Sequence, residues 1–188
     1  MHLGFATHAF ALAASLSVGI LQIERHHIYP DYLAPFVPTP EPVVEKMLKL
    51  ADLKPGETLY DLGSGDGRVL FIAAQKFGAK AVGVEISQKL VNATSKRVTE
   101  LGLQNRIKVI EGNVLDADLS GADVVTLYFL RLSNEKLKPN LIKQLRAGAR
   151  VVSHDFEIMG WKPDQVEKVT IHRRGHLIYL YRMPPTPQ

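Results

Sequence analysis

One short stretch limits the possible folds more than any other: Tyr60-Asp61-Leu62-Gly63-Ser64-Gly65-Asp66-Gly67-Arg68. An apolar run enters a tight, carboxylate-flanked turn, and the turn opens a helical pattern. Strand, glycine turn and helix N-terminus in that order form the ligand-cradling end of an α/β unit. The glycines read G-x-G-x-G, so the backbone can turn sharply and approach a ligand with no Cβ in the way. This departs from the G-x-G-x-x-G spacing of dinucleotide sites. Acids beside the turn would also repel a diphosphate.

Asp61 and Asp66 instead suit a ligand carrying positive charge, such as the sulfonium and amino groups of S-adenosylmethionine. Glu85 follows Gly63 by 22 residues and ends the apolar run Ala81-Val82-Gly83-Val84, where a carboxylate can accept both hydroxyls of a ribose. A glycine turn alone is often only a tight connection. Asp61 ahead of it and Glu85 at the end of the next strand make a cofactor site the stronger reading.

The surrounding pattern predicts a helix over residues 41–53, with Pro42 early and Val43, Val44, Met47, Leu48 and Ala51 at helical spacing. Strands are expected at 58–62, 81–85, 107–111, 123–129 and 149–156, and helices at 67–77 and from Ser87 to Gly102. A further helix between the last two strands is expected to be interrupted near Pro139. Residues 166–171 and 177–182 read as an antiparallel hairpin, with His172-Arg173-Arg174-Gly175-His176 as its solvated turn. Alternating strands and helices predict an α/β fold with a doubly wound sheet and ligands beyond the carboxyl ends of its strands.

A chain of 188 residues with 46% hydrophobic content suits one domain with its own core. It has no cysteine, which excludes disulfides, a thiol nucleophile and a cysteine-ligated metal. The net charge of +4, without long runs of one sign, argues against a nucleic-acid partner. His26 and His27 are adjacent and do not share a helix face, so no metal site is expected from them.

Residues 3–23 contain no Asp, Glu, Lys or Arg and are long enough, as a helix, to cross about 30 Å of hydrocarbon. Residues 1–28 are therefore read first as a membrane anchor, with a cleaved leader or a packed helix as alternatives. S-Adenosylmethionine is made and kept in the cytosol, so an anchored domain is expected to face it; a soluble cytoplasmic or an exported protein are the other locations. Prolines at 30, 35, 38 and 40 make residues 29–40 a stiff connector. The main domain is expected over 36–188.

The succession DLGSGDG, GVEIS, EGNVLDADL and VVTLYFL resembles the class I S-adenosylmethionine-dependent methyltransferases, over roughly residues 36–182. The flanking stretches Phe36-Val37-Pro38-Thr39-Pro40 and Val151-Val152-Ser153-His154-Asp155-Phe156-Glu157-Ile158, with Trp161, are similar to archaeal broad-specificity protein lysine methyltransferases. Membrane-anchored mitochondrial relatives share the plan. The resemblance implies a Rossmann-like, mainly parallel seven-stranded sheet with a C-terminal antiparallel hairpin. It further implies S-adenosylmethionine as cofactor and a protein lysine as acceptor. Asp61, Gly63, Gly65, Asp66 and Gly67 then form the cofactor turn, Glu85 holds the ribose, Asn113 sits beside the adenine and Thr39 closes over the methionine end. A strand-end turn for Asn113 and a helix cap for Thr39 are the plain structural alternatives.

The sulfonium is already a good leaving group, so the protein mainly has to align a neutral amine in line with the methyl carbon. A lysine ammonium, with a reference pKa near 10.4, must first lose a proton, and desolvation favours the neutral amine. Tyr128 and Asp155 are the catalytic candidates, with Phe129, Phe156 and Trp161 as possible channel walls or plain core. Asp155 either orients or deprotonates the substrate or pairs with Lys162 or Arg150. In an extended strand Asp155 and His154 face opposite ways, so only one of them is expected at the ligand. Leu127-Tyr128-Phe129-Leu130 stands where methyltransferases of nucleobases and glutamine carry Asn or Asp followed by Pro-Pro and an aromatic, which disfavours those acceptors. A small-molecule methyltransferase and a noncatalytic cofactor-binding protein are the competing readings.

Overall fold

The computed structural model describes residues 33–188. Helix α1 (Glu41–Leu50) precedes β1 (Thr58–Leu62), α2 (Arg68–Lys76), β2 (Lys80–Glu85), α3 (Gln88–Glu100), β3 (Ile107–Glu111), β4 (Val124–Leu127), α4 (Arg131–Gln144) and β5 (Arg150–His154). After these come β6 (Trp161–Lys162), β7 (Gln165–Ile171), β8 (Arg174–Arg182) and β9 (Thr186–Pro187). The main sheet has seven strands in the order β3-β2-β1-β4-β5-β8-β7. The first five are parallel, and β8 and β7 add antiparallel to the edge. This is the expected doubly wound, Rossmann-like methyltransferase fold.

Period-two alternation explains the two cores. Leu59, Ala81, Val124 and Val152 point to one face, where residues of α1 and α2 and Val98 of α3 cover them. Leu62, Val84, Val125 and Val151 point to the other, under Leu137 and Leu141 of α4 and with Trp161 and Tyr181. Strands buried on both faces need helices on both, which the crossovers supply. Because β1 pairs with β2 on one side and β4 on the other, the connections reverse direction at β1. The crevice above its carboxyl end is where such sheets take ligands.

Several boundaries differ from expectation for local reasons. Helix α1 stops at Leu50 rather than 53, because Asp52 turns left-handed (φ 52°) and the Leu53 N–H reaches back to the Leu48 carbonyl, a helix-terminating bond. Helix α4 runs unbroken through Pro139; the missing donor is tolerated because Leu137 and Leu141 on either side are fully buried and hold the helix down. The expected five-residue hairpin turn is only His172-Arg173, both left-handed (φ 48° and 69°), which matches the twist of the strands it joins. Arg174 and His176 therefore belong to β8. The short β6–β9 pair is too brief to leave a sequence pattern.

The expected membrane-anchored location is corrected: among the described residues no helix is long and apolar enough to cross a membrane. The segment 3–23 on which it rested, together with His26 and His27, lies outside the described residues.

Gly83 is a positional requirement that the sequence pattern does not signal. It sits beside Asp61 on β2, and a Cβ there would fall 2.6 Å from Leu70 Cδ1 and 2.8 Å from Ser64 Cβ. Ser64 of the glycine turn packs on that bare backbone. Gly83→Ala is expected to cost about 1–3 kcal/mol by overpacking, lowering the melting temperature by several degrees and loosening the turn. A thermal melt matching the parent would refute this.

Candidate active site

A cavity of about 570 Å³ opens above β1 and β4, lined by the glycine turn, by Glu85 and Asn113, and by residues 33–39. That is within the usual range for a small-ligand pocket. The turn is fixed from below: the Gly63 and Ser64 N–H groups both donate to the Val84 carbonyl, at 2.8 and 3.1 Å. Gly65 has φ 54°, and a Cβ on it would lie 2.4 Å from the Phe36 ring, so only glycine fits both the torsion and the approach.

Asp61 forms the floor. It pairs in register with Thr126 of β4, whose hydroxyl donates to Asp61 Oδ1 at 2.7 Å. Burial pushes the Asp61 carboxyl up to about 7, against the lowering effect of that hydrogen bond, and nearby Glu85 and Asp66 push the same way. An uncompensated buried carboxylate is the complement of a cationic ligand. Glu85 is also buried; its Oε2 accepts from Gly65 N–H at 2.8 Å and its Oε1 from Ser87 N–H at 2.9 Å. Each carboxylate oxygen has two acceptor sites, so one on each remains for a vicinal diol.

Asp66 lines the cavity, but its carboxylate is held by Arg68 in a fork, with Nε–Oδ1 2.9 Å and Nη2–Oδ2 2.6 Å. Burial opposes ionisation of Asp66, yet the Arg68 bonds hold its carboxyl below the ordinary range. Attraction for a cation therefore falls to Asp61 and Glu85. Arg68, which sequence reasoning missed, also donates through Nη1 to the Thr39 carbonyl at 2.9 Å and ties the segment ahead of α1 to the turn. Thr39 is not a helix cap, since Pro40 holds that position. Asn113 Oδ1 accepts from Leu115 N–H at 2.9 Å, the expected turn, while the residue still lines the cavity. Ser64, also missed, places a buried hydroxyl oxygen with no partner among the described residues at the cavity wall.

Tyr128 follows β4 and lines the cavity. Its hydroxyl is 3.4 Å from Asp155 Oδ2; burial and that carboxylate raise the phenol above its ordinary pKa, so it stays a donor. Asp155 pairs neither with Lys162 nor with Arg150. It accepts from Leu177 N–H at 3.0 Å and from Arg174 at 3.3 Å, while Arg150 forks onto Glu57 at 3.0 and 2.6 Å. The expected alternation between His154 and Asp155 fails because β5 ends at His154 and Asp155 turns left-handed (φ 59°). Both therefore gather beside Tyr128, whose ring centroid is 4.0 Å from that of His154. His154, Asp155 and His176 bring their ligand-type atoms within 4.8 Å of one another, a cluster the sequence pattern does not foretell. Phe129 lines the cavity, and Phe156 stacks 6.2 Å from Tyr128. Trp161 is core, packed edge-on against Tyr181 at 5.7 Å.

Residues 61–165 match the model of the ANTKMT methyltransferase domain. A protein-lysine N-methyltransferase of Saccharolobus islandicus is 45% identical over 78% of this chain and 92% of its own length. A human lysine N-methyltransferase named for a component of ATP synthase is 31% identical over 70% of this chain, which spans just 56% of that relative. Among solved structures, one described as an RNA methyltransferase from Salinibacter ruber with S-adenosyl-L-homocysteine is 45% identical, with a TM-score of 0.73 over 79% of this chain and 94% of that one.

Proposed function

Since this chain belongs to the ANTKMT methyltransferase domain family, we infer that it is an S-adenosylmethionine-dependent methyltransferase acting on lysine side chains of proteins. The observation that carries the cofactor is the buried Asp61 beneath the glycine turn, with Glu85 at the next strand end. The Saccharolobus relative, matched over nearly its whole length, supports the lysine acceptor. Bound S-adenosylmethionine supplies a methyl group activated by the neighbouring sulfonium. The chain's own residues bind and orient: Asp61 faces the ligand's positive charge, Glu85 its ribose, and Asn113 its adenine. Ser64 Oγ, otherwise without a partner among the described residues, gives a ligand one more hydrogen-bonding group.

On the acceptor side, Tyr128 and Asp155 present a hydroxyl and a carboxylate to an incoming ammonium. The carboxylate attracts it, and the apolar wall at Phe129 favours the neutral amine that has to attack. Tyr128→Phe is expected to lower kcat about tenfold through the lost hydrogen bond, with a much smaller effect on cofactor affinity. Weakened cofactor binding with kcat unchanged at saturating cofactor would place Tyr128 in cofactor binding alone.

One observation favours a second reading, an RNA acceptor: the description of the Salinibacter structure. Against it stands a net charge of only +4 with no long run of basic residues, although the sequence pI of about 9.3 falls in the range of nucleic-acid-binding domains. Whole-cell extract labelled with methyl-tritiated S-adenosylmethionine separates the two. Protein-lysine methylation predicts label that protease releases and ribonuclease does not; ribonuclease-sensitive label would overturn it.

A further inference from the structure

Behind the cavity wall runs a buried polar chain that methyl transfer as argued above does not use. His154 is fully buried and His176 is 2% exposed. His154 Nε2 lies 2.9 Å from His176 Nδ1, and His154 Nδ1 lies 3.1 Å from the hydroxyl of Thr39, itself a cavity residue. One Asp155 oxygen is 3.5 Å from each of the two facing nitrogens, so it favours neither. The signal in the sequence is the alternation His176, Ile178, Leu180, all buried on one face of β8.

A neutral imidazole has one donor and one acceptor nitrogen, so the direction of one bond dictates the next. When His176 donates to His154 Nε2, His154 carries its hydrogen on Nδ1 and donates to Thr39 Oγ1. The Thr39 hydrogen is then turned into the cavity. When His154 donates from Nε2, its bare Nδ1 accepts the Thr39 hydrogen, and only a lone pair faces the cavity. Burial lowers the His154 pKa to about 4, more than Asp155 raises it, so this ring stays neutral at ordinary pH and both directions exist.

We propose that His154 and His176 are positioning residues that make Thr39 a hydrogen-bond donor to the carboxylate at the amino-acid end of the bound cofactor. The proposal rests on the S-adenosylmethionine reading above. Asp61 and Glu85, both in the cavity lining, would repel that carboxylate, so it depends on donors elsewhere in the lining, of which the Thr39 hydroxyl is one. Arg68, a cation beside Thr39, is already committed to Asp66 and to the Thr39 carbonyl. A carboxylate accepts but never donates, so its arrival selects the first direction of the chain.

The test compares two ligands on the full chain: S-adenosylhomocysteine, and methylthioadenosine, which lacks the amino-acid end. Thr39→Val and His154→Leu are expected to weaken S-adenosylhomocysteine about tenfold, as for one hydrogen bond to a charged group, and to leave methylthioadenosine unchanged. His154→Asn, whose amide can still donate to Thr39, should recover most of the loss. In the parent, nitrogen-15 NMR of labelled histidine should show His154 moving to the Nδ1–H tautomer when S-adenosylhomocysteine binds. Equal losses for both ligands, no loss, or an unmoved tautomer would overturn the proposal. So would parent affinity that collapses on chelation, because the cluster would then be a cation site. A parent that binds neither ligand would instead refute the cofactor reading itself.

Discussion

Asp61→Asn is expected to raise the melting temperature of the cofactor-free protein at pH 8 while weakening S-adenosylhomocysteine binding about 10- to 100-fold. Both effects have one origin. Folding lifts the Asp61 carboxyl from 3.8 to about 7, because burial disfavours the charged form. A group raised in this way favours the fold fully below its unfolded value near 4 and loses that contribution as pH climbs through 7. Above pH 7 the free protein carries a buried anion at a cost of about 4 kcal/mol, three pH units' worth. Asparagine accepts the same Thr126 hydroxyl without the charge, so the stability gain should be largest at pH 8 and shrink towards pH 5. S-Adenosylhomocysteine has no sulfonium, so its ammonium is the group that needs the charge. Parent affinity should therefore fall as pH drops below 7, by up to tenfold per unit, whereas the variant should show a flatter profile. Calorimetry and thermal melts across pH 5 to 8 check both arms; a variant less stable than the parent at pH 8 would show that Asp61 is held ionised by something other than a ligand.

Glu85→Ala should give an effect of similar size, a loss of about 1.5–3 kcal/mol in cofactor binding, or roughly 12- to 150-fold in Kd. The carboxylate has two duties. It accepts the Gly65 and Ser87 N–H groups and leaves an acceptor site on each oxygen for the ribose. Alanine removes both, so the variant should also melt lower, with two backbone donors losing their partner. Glu85→Gln separates the duties, since it keeps one acceptor oxygen for the backbone and puts an NH2 group in place of the other. Its melting temperature should lie between those of parent and alanine variant, with affinity still clearly reduced. Cofactor affinity unchanged in Glu85→Ala would remove Glu85 from the site.

The doubly wound sheet, its C-terminal hairpin and the glycine turn are legible because they depend on local rules. Period-two runs such as Thr58–Leu62 can only be buried strands here, and glycines flanked by Asp61 and Glu85 need a ligand to make sense. The acceptor side is less legible. By its pattern Asp155 belongs to a strand continuing to Phe156, and its left-handed backbone, which brings it together with His154, follows from the way β8 docks on β5. His176 reads as part of a turn because His172-Arg173-Arg174-Gly175-His176 is polar throughout, although two left-handed residues close the hairpin and free the rest for β8. Arg68 gives no signal of its own, since its partners, Asp66 and the Thr39 carbonyl, include one 29 residues away in sequence. Position alone leaves Trp161 as channel wall or core; its burial against Tyr181 beside the small β6–β9 pair makes it core.

The central claim is that the cavity transfers methyl groups to lysine side chains of proteins. The direct measurement is to incubate purified protein and deuterium-methyl S-adenosylmethionine with a whole-cell extract containing both protein and RNA, then map every labelled site by mass spectrometry. The account predicts deuterated methyl groups on lysine side-chain nitrogens, absent when Glu85→Ala replaces the parent at limiting cofactor. Label confined to nucleosides or small metabolites would contradict it.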